Sequence, residues 1–242
     1  MKATQSWHSP RVETHIKLVR WGHWGTPVLV FPTAGGDAEE IERFHVVQAL
    51  WPLIEAGRIK VYSCDSLAGQ VLVCGQHSAQ YCALFQNRFD ACVYHEIIPA
   101  IRADCASADI TVITAGASIG AYNALATLCR HADVVSAAIG LSGTYDLTRF
   151  LGGSLPEEFY FASPLHYLPA LGDGAQLDTL RARFAVMAFG QGRWEDPDES
   201  WRLAAVLGDK RIPNRVDDWG PQYDHDWPTW RVMLPRYLEE LA

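Results

Sequence analysis

The segment DITVITAGASIGAYNALATLCR, from Asp109 to Arg130, most constrains what this chain can fold into. Its apolar, β-branched run Ile110 to Thr114 has the length of a strand buried on both faces, and Ala121 to Leu128 has the composition of a helix. Between them stands Gly116-Ala117-Ser118-Ile119-Gly120. A strand that passes into a helix through G-x-S-x-G turns so tightly that its serine sits in strained backbone, and a side chain at either glycine would collide with a neighbouring element. Ser118 is therefore expected out over the end of a sheet, as a nucleophile. The free amide of Ile119, first in the helix, would face any negative charge forming beside that serine and so make half of an oxyanion hole. Five such residues also recur by chance; the strand before them and the helix after them give the motif its weight.

A strand and helix of this kind need a large sheet around them. With 242 residues and no Pro/Ser-rich linker, the chain suits one α/β domain over 1–242. Hydrophobic residues make up 49% and charged ones 20%, which excludes a disordered or fibrous chain. A net charge of -8 argues against nucleic acid or an anionic membrane as partner. The first residues, MKATQSWHSPRVETH, contain no apolar signal-peptide core, and no run approaches the roughly eighteen apolar residues of a membrane-spanning helix. The expectation is a cytoplasmic protein beginning near Met1. Its six cysteines then read as reduced thiols, with a disulfide framework as the alternative. No C-x-x-C occurs, and His95-Glu96 fails as a zinc motif because Pro99 stands where the second histidine belongs. Neither metal nor organic cofactor is expected, and the pattern is compatible with a homo-oligomer.

Ahead of the elbow, Val12–Trp21 and Pro27–Phe31 read as strands that pair with each other. Pro32-Thr33-Ala34-Gly35-Gly36-Asp37 follows, then a long amphipathic helix from Ala38 to about Ala56. The loop lacks both the dinucleotide G-x-G-x-x-G and the phosphate-binding G-K-[ST]. It suits the second oxyanion amide, assigned to Ala34 with Gly35 as its rival; a plain strand-to-helix turn is the other reading. Arg58–Ser63 reads as a strand, and Phe89–Cys105 as a helix that Pro99 bends or ends. Val71–Gln80 suits a loop bordering a pocket, where Ser66, His77 and Ser78 are either supporting groups or ordinary loop residues.

Behind the elbow, Val134–Leu141 and Phe184–Phe189 read as buried strands and Asn214–Trp219 as a last, alternating one. The stretch from about 145 to 180 is rich in Gly, Pro and aromatics, and is expected to be an irregular insertion walling the pocket. Phe150, Phe159, Tyr160 and Phe161 either line an apolar site there or anchor the insertion to the core. A carboxylate beyond a late strand is where the third member of a serine triad belongs, and Glu195 and Asp196 are adjacent candidates. Either can instead begin the helix Glu199–Leu207, a role open to Asp198 as well. His225 lies between the last strand and the terminal helix Thr229–Leu241, the position that the chain order serine, acid, histidine gives to the base.

With Ser118, GQGRWEDP and YDHDWPTWR together, the chain resembles the esterase D-like family of α/β-hydrolases, a group that also includes feruloyl esterases and mycolyltransferases. The resemblance runs from FPTAGG to the terminal helix and is sharpest in HDWPTWR joined to DDWG. It implies an α/β-hydrolase fold with a mostly parallel central sheet and helices on both faces. It also favours Glu195 over Asp196, because family members carry G-x-x-[DE] and Glu195 is third after Gly192. The sequence departs from the better-understood relatives at VLVCGQHSAQYC, so the resemblance implies no particular substrate. The function expected is a serine carboxylesterase acting on a small-molecule ester with Ser118, Glu195 and His225 as triad. An acyltransferase or thioesterase would use the same triad, and a non-catalytic binding protein on this fold would betray itself by a missing member.

Overall fold

In the computed structural model, which describes residues 1–153 and 155–242, one eight-stranded sheet organises the chain. Its strands are β1 (Lys2–Ser9), β2 (Thr14–Trp21), β3 (Thr26–Phe31), β4 (Ile59–Cys64), β5 (Val112–Ala117), β6 (Val135–Leu141), β7 (Phe184–Phe189) and β8 (Asn214–Asp218). They lie in the order β1-β2-β4-β3-β5-β6-β7-β8. From β4 to β8 every neighbouring pair is parallel, whereas β1 and β2 form an antiparallel margin. Continuous apolar runs such as FAVMAF belong in the middle of such a sheet, because helices cover both of its faces.

The alternation along β3 shows how the two faces are filled. Val28 and Val30 join the core formed with α2 (Val46–Glu55) and the C-terminal helix, while Leu29 and Phe31 join the opposite core. The short α1 (Glu40–Arg43) precedes α2 on the first face. On the second face lie α3 (Leu67–Val73), α4 (Ala79–Cys92), α5 (Ile98–Asp104) and α6 (Ile119–Arg130). Beyond β6 come the short α7 (Pro164–Tyr167) and α8 (Ala175–Arg181), then α9 (Pro197–Asp209) and α10 (Trp227–Leu241). The fold is the expected α/β arrangement, with a sheet parallel through its centre and helices on both sides.

Several local expectations are corrected. Lys2–Ser9 is a strand, unrecognised because it alternates mostly polar residues along an exposed edge. β2 pairs with β4, not with β3. β4 is buried at every position and takes a neighbour on each side, and even its Lys60 is neutralised by Asp104 at 2.7 Å. The helix expected over 38–56 breaks at His45, whose φ of 62° separates α1 from α2. The helix before the elbow begins at Ala79 rather than Phe89, and a π-helical turn, Val93–Ile97, admits Pro99 without ending it. Of the region 71–80, residues 74–78 form the expected loop, and α3 and α4 take its two ends. All six cysteines are free thiols, so no disulfide framework exists. No helix among the described residues is long and apolar enough to cross a membrane.

The insertion at about 145–180 consists of short turns and helices rather than one long element, and Ser154 within it lies outside the described residues. Its aromatics divide. Phe159 is fully buried and stacks with Tyr122 at 6.1 Å, anchoring the segment, whereas Phe161 is 65% exposed.

Candidate active site

The sharp turn at Ser118 is present in the backbone: φ is 56° and ψ is -123°, a region that side chains avoid. Both glycines of the motif are explained by contact. A Cβ at Gly116 would stand 2.3 Å from the Gly120 carbonyl carbon, and one at Gly120 would stand 2.5 Å from the Pro32 carbonyl oxygen. The turn is held against β6 by Ser118 N–H donating to Leu141 O at 3.0 Å, and Thr144 N–H donates to Ser118 O at 3.2 Å. Ile119 opens α6, so its amide has no intrahelical acceptor.

The loop after β3 runs beside this elbow, as the contact between Gly120 and Pro32 requires. Glu40 is its internal clamp, accepting Thr33 N–H at 2.7 Å and Thr33 Oγ1–H at 2.9 Å. Burial raises the Glu40 pKa, against the two Thr33 donors, which lower it. On the other side, Gly36 O accepts from Ser66 N and from Gln70 Nε2, both at 3.1 Å, and Ala38 N–H donates to Asp65 at 3.0 Å. Gly69 presses on the Ala34 carbonyl so closely that a Cβ there would stand 2.3 Å from it. Ala34 is thereby fixed in a rigid loop next to the elbow, while Gly35 has open space around it. Of the other pocket candidates, Ser66 is buried beside Gly69, Ser78 caps α4 by accepting Tyr81 N–H, and His77 stacks on Tyr81.

Glu195 and His225 come from loops that follow β7 and β8, and these two loops are stitched together. Gly192 N–H donates to Tyr223 O at 2.9 Å, His225 N–H to Arg193 O at 3.0 Å, and Gln191 N–H to Gly220 O at 2.9 Å. Arg193 adds a two-pronged pair with Asp224 through Nε at 3.0 Å and a terminal nitrogen at 2.8 Å. Such closeness demands glycine: a Cβ at Gly190 would stand 1.9 Å from Tyr223 O. Gly190→Ala is thus expected to cost roughly 1–3 kcal/mol, or roughly 2 to 12 °C of melting temperature. Thermal unfolding beside Gly172→Ala, whose Cβ would meet nothing within 4 Å, checks this, and equal melting temperatures would reject it.

The Glu195 side chain is 1% exposed, and its Oε2 lies 3.9 Å from His225 Nδ1. Oε1 accepts a 2.6 Å hydrogen bond from Ser142 Oγ, whose oxygen in turn accepts from Trp230 Nε1 at 2.9 Å. Oε2 is buried without a hydrogen-bond partner among the described residues. Burial raises the Glu195 pKa; the Ser142 hydroxyl and the Gly190 amide oppose this, while Asp224 adds to it. The His225 pKa is lowered, first by burial and then by the Arg149 guanidinium, with Asp226 opposing. Its ring stands edge-to-face with Trp230, centroids 5.2 Å apart. Asp196, the rival acid, is exposed as the N-cap residue of α9.

The structure therefore brings Glu195 beside His225 and sets Pro32, at the start of the loop that carries Ala34, against Gly120 of the elbow, while no hydrogen bond joins Ser118 Oγ to His225 among the described residues. Three polar groups escaped the sequence reading. Ser142 and Trp230 are two of them. The third is Glu199, buried and accepting Tyr145 N–H and Asp146 N–H at 2.8 Å each, which ties the loop after β6 to α9. A narrow apolar cavity adjoins the elbow, bordered by Val30, Thr33, Ala117, Leu141, Trp227 and Trp230 among others. No three His, Cys, Asp or Glu side chains among the described residues converge so as to hold a metal ion.

The strand order, the parallel centre and the strained serine turn between β5 and α6 define the α/β-hydrolase fold. Solved structures of that fold superpose along the whole chain. A ferulic acid esterase matches with a TM-score of 0.73 at 15% identity, covering 100% of this chain and 99% of its own. An S-formylglutathione hydrolase from Agrobacterium tumefaciens gives 0.72 at 11% identity, covering 99% and 94%. The enterobactin esterase of Shigella flexneri gives 0.70 at 15% identity, covering 100% of this chain and 59% of its own. At such identities the likeness is one of fold, and it extends across α/β-hydrolase-fold proteins without singling out the esterase D-like group. No protein-family model and no curated protein sequence matches the chain.

Proposed function

We propose that this chain is a serine carboxylesterase of the esterase D-like kind, built as one catalytic domain over 1–242. The observations that carry the reading are the buried Glu195 carboxylate, with Oε2 unpartnered and 3.9 Å from His225 Nδ1, and the strained backbone of the Ser118 elbow. In this reading Ser118 Oγ attacks the ester carbonyl carbon while His225 Nε2 takes its proton. Glu195 accepts Nδ1–H, orients the ring and stabilises the imidazolium. The amides of Ile119 and Ala34 hold the tetrahedral oxyanion, and the held proton passes to the departing alkoxide. Water then repeats the cycle on the acyl-enzyme and releases the acid. In this reading His225 Nδ1 and Glu195 Oε2, 3.9 Å apart, close to hydrogen-bond distance around substrate, where catalytic hydrogen bonds tighten.

A fluorophosphonate probe tests the assignment, since it labels an activated serine: label mapped to Ser118 supports it, and an unlabelled folded protein defeats it. Acyl transfer and thioester hydrolysis run through the same acyl-enzyme. The structural neighbours' names span a ferulic ester and S-formylglutathione, so esters and thioesters both belong in the substrate panel, with competing acceptors present.

Arg149 adds to burial in setting the acid limb in this reading. It lies on the 3-10 turn Thr148–Leu151, which packs against α3 and α4, and its positive charge disfavours the imidazolium of His225. Arg149→Gln removes that charge, so His225 holds its proton to higher pH and the acid limb of kcat/KM moves upward. Arg149→Lys should leave the limb in place. Paired pH–rate profiles decide, and an unmoved limb in Arg149→Gln rejects the effect.

A further inference from the structure

Ser142 has no obvious reason to be where it is. It directly follows β6 with a φ of 46°, a conformation costly for any residue with a side chain, and it is 3% exposed. Its N–H donates to Ala188 O at 2.7 Å, binding it to the strand that leads into the acid loop. Its hydroxyl lies between two partners, Trp230 Nε1 at 2.9 Å and Glu195 Oε1 at 2.6 Å.

The direction of those bonds is not free. An indole N–H can only donate, so the Ser142 oxygen accepts from Trp230 and its own hydrogen must point at Glu195. Oε1 is then locked as an acceptor, and the carboxylate cannot rotate without breaking that bond. Trp230 also sets its ring edge-to-face with His225, so one side chain touches the imidazole and fixes the hydroxyl that fixes its acid.

Resting on the hydrolase reading above, we propose that Ser142 and Trp230 are positioning residues which hold Glu195 with Oε2 toward His225 and keep its carboxyl unprotonated. The strained backbone at Ser142 serves that aim. Other charged groups facing the pair are few: Asp224 lies near Glu195 but is engaged by Arg193, and Arg149 and Asp226 act on His225.

The test uses Ser142→Ala, Ser142→Gly, Trp230→Phe and the Ser142→Gly/Trp230→Phe pair, with a short p-nitrophenyl ester. Glycine relieves the positive φ, so Ser142→Gly keeps the hydroxyl's loss measurable should the alanine variant fail to fold. Losing a hydrogen bond to a charged group predicts a drop in kcat of roughly ten- to hundredfold with KM nearly unchanged. Without its donor Glu195 protonates more readily, so the acid limb of the kcat profile moves to higher pH in both Ser142 variants. Trp230→Phe should show a smaller change in the same direction and add little once the hydroxyl is gone. A merely structural role would lower activity or stability equally at every pH. Parent-like kcat and an unmoved limb in Ser142→Gly, in protein whose Ser118 takes the fluorophosphonate label, would overturn the proposal alone. A parent protein that takes no label would overturn the hydrolase reading and this inference with it.

Discussion

Ser118→Ala is expected to lower kcat for ester hydrolysis by roughly a millionfold, to the level left by the oxyanion amides and binding alone. The magnitude follows from the absence of a substitute. The elbow presents one side chain at its apex, and its glycine neighbours admit no other, since a Cβ at Gly120 would lie 2.5 Å from Pro32 O. The variant should remain folded, because alanine removes only the hydroxyl. Ser118→Gly makes the companion case: with φ at 56° and ψ at -123°, removing Cβ should relieve roughly 1–3 kcal/mol of backbone strain. Higher thermal stability together with lost turnover would mark a residue kept for chemistry against its folding cost. Parent-rate cleavage by purified Ser118→Ala protein would end the serine mechanism.

Glu195→Gln is expected to lower kcat by about ten-thousandfold, while Asp196→Asn leaves it close to parent. The Ser142 hydrogen, directed by Trp230, requires an oxygen facing it, so the carboxamide of the glutamine must turn its NH2 group toward His225. Nδ1 then becomes an acceptor and the ring proton moves to Nε2, the tautomer that cannot take a proton from Ser118. Asp196 has no such link to His225: it is exposed, at the start of α9. Steady-state kinetics on both variants decide the matter. The choice of acid is wrong if Asp196→Asn suffers the large loss and Glu195→Gln does not.

How far the site could be read in advance differs from residue to residue. Glycine spacing, the order serine, acid, histidine and the loop after β3 are written in neighbouring residues, because turn geometry and helix starts are local. Ser142 carries no such mark. Its partners stand 53 and 88 residues away, and nothing next to it in the chain reports them. Glu40 and Glu199 lie in the first turns of their helices, where acids are ordinary, yet both are buried acceptors that hold loops in place. In the fold, apolar runs such as FAVMAF named their own strands, but β1 was hidden by polar alternation. The partner of β2 depended on β4, a strand 38 residues beyond its end by sequence number.

What the sequence determined unaided was therefore the parallel core and the strained serine turn at its centre, since hydrophobic period and glycine spacing act over a few residues. What only the tertiary structure decided was strand order, the docking of the loops that carry Glu195 and His225, and the Trp230–Ser142–Glu195 chain. Those depend on which distant surfaces meet, and the energy that selects them, burial together with the pairing of enclosed donors and acceptors, exists only once the chain has closed on itself.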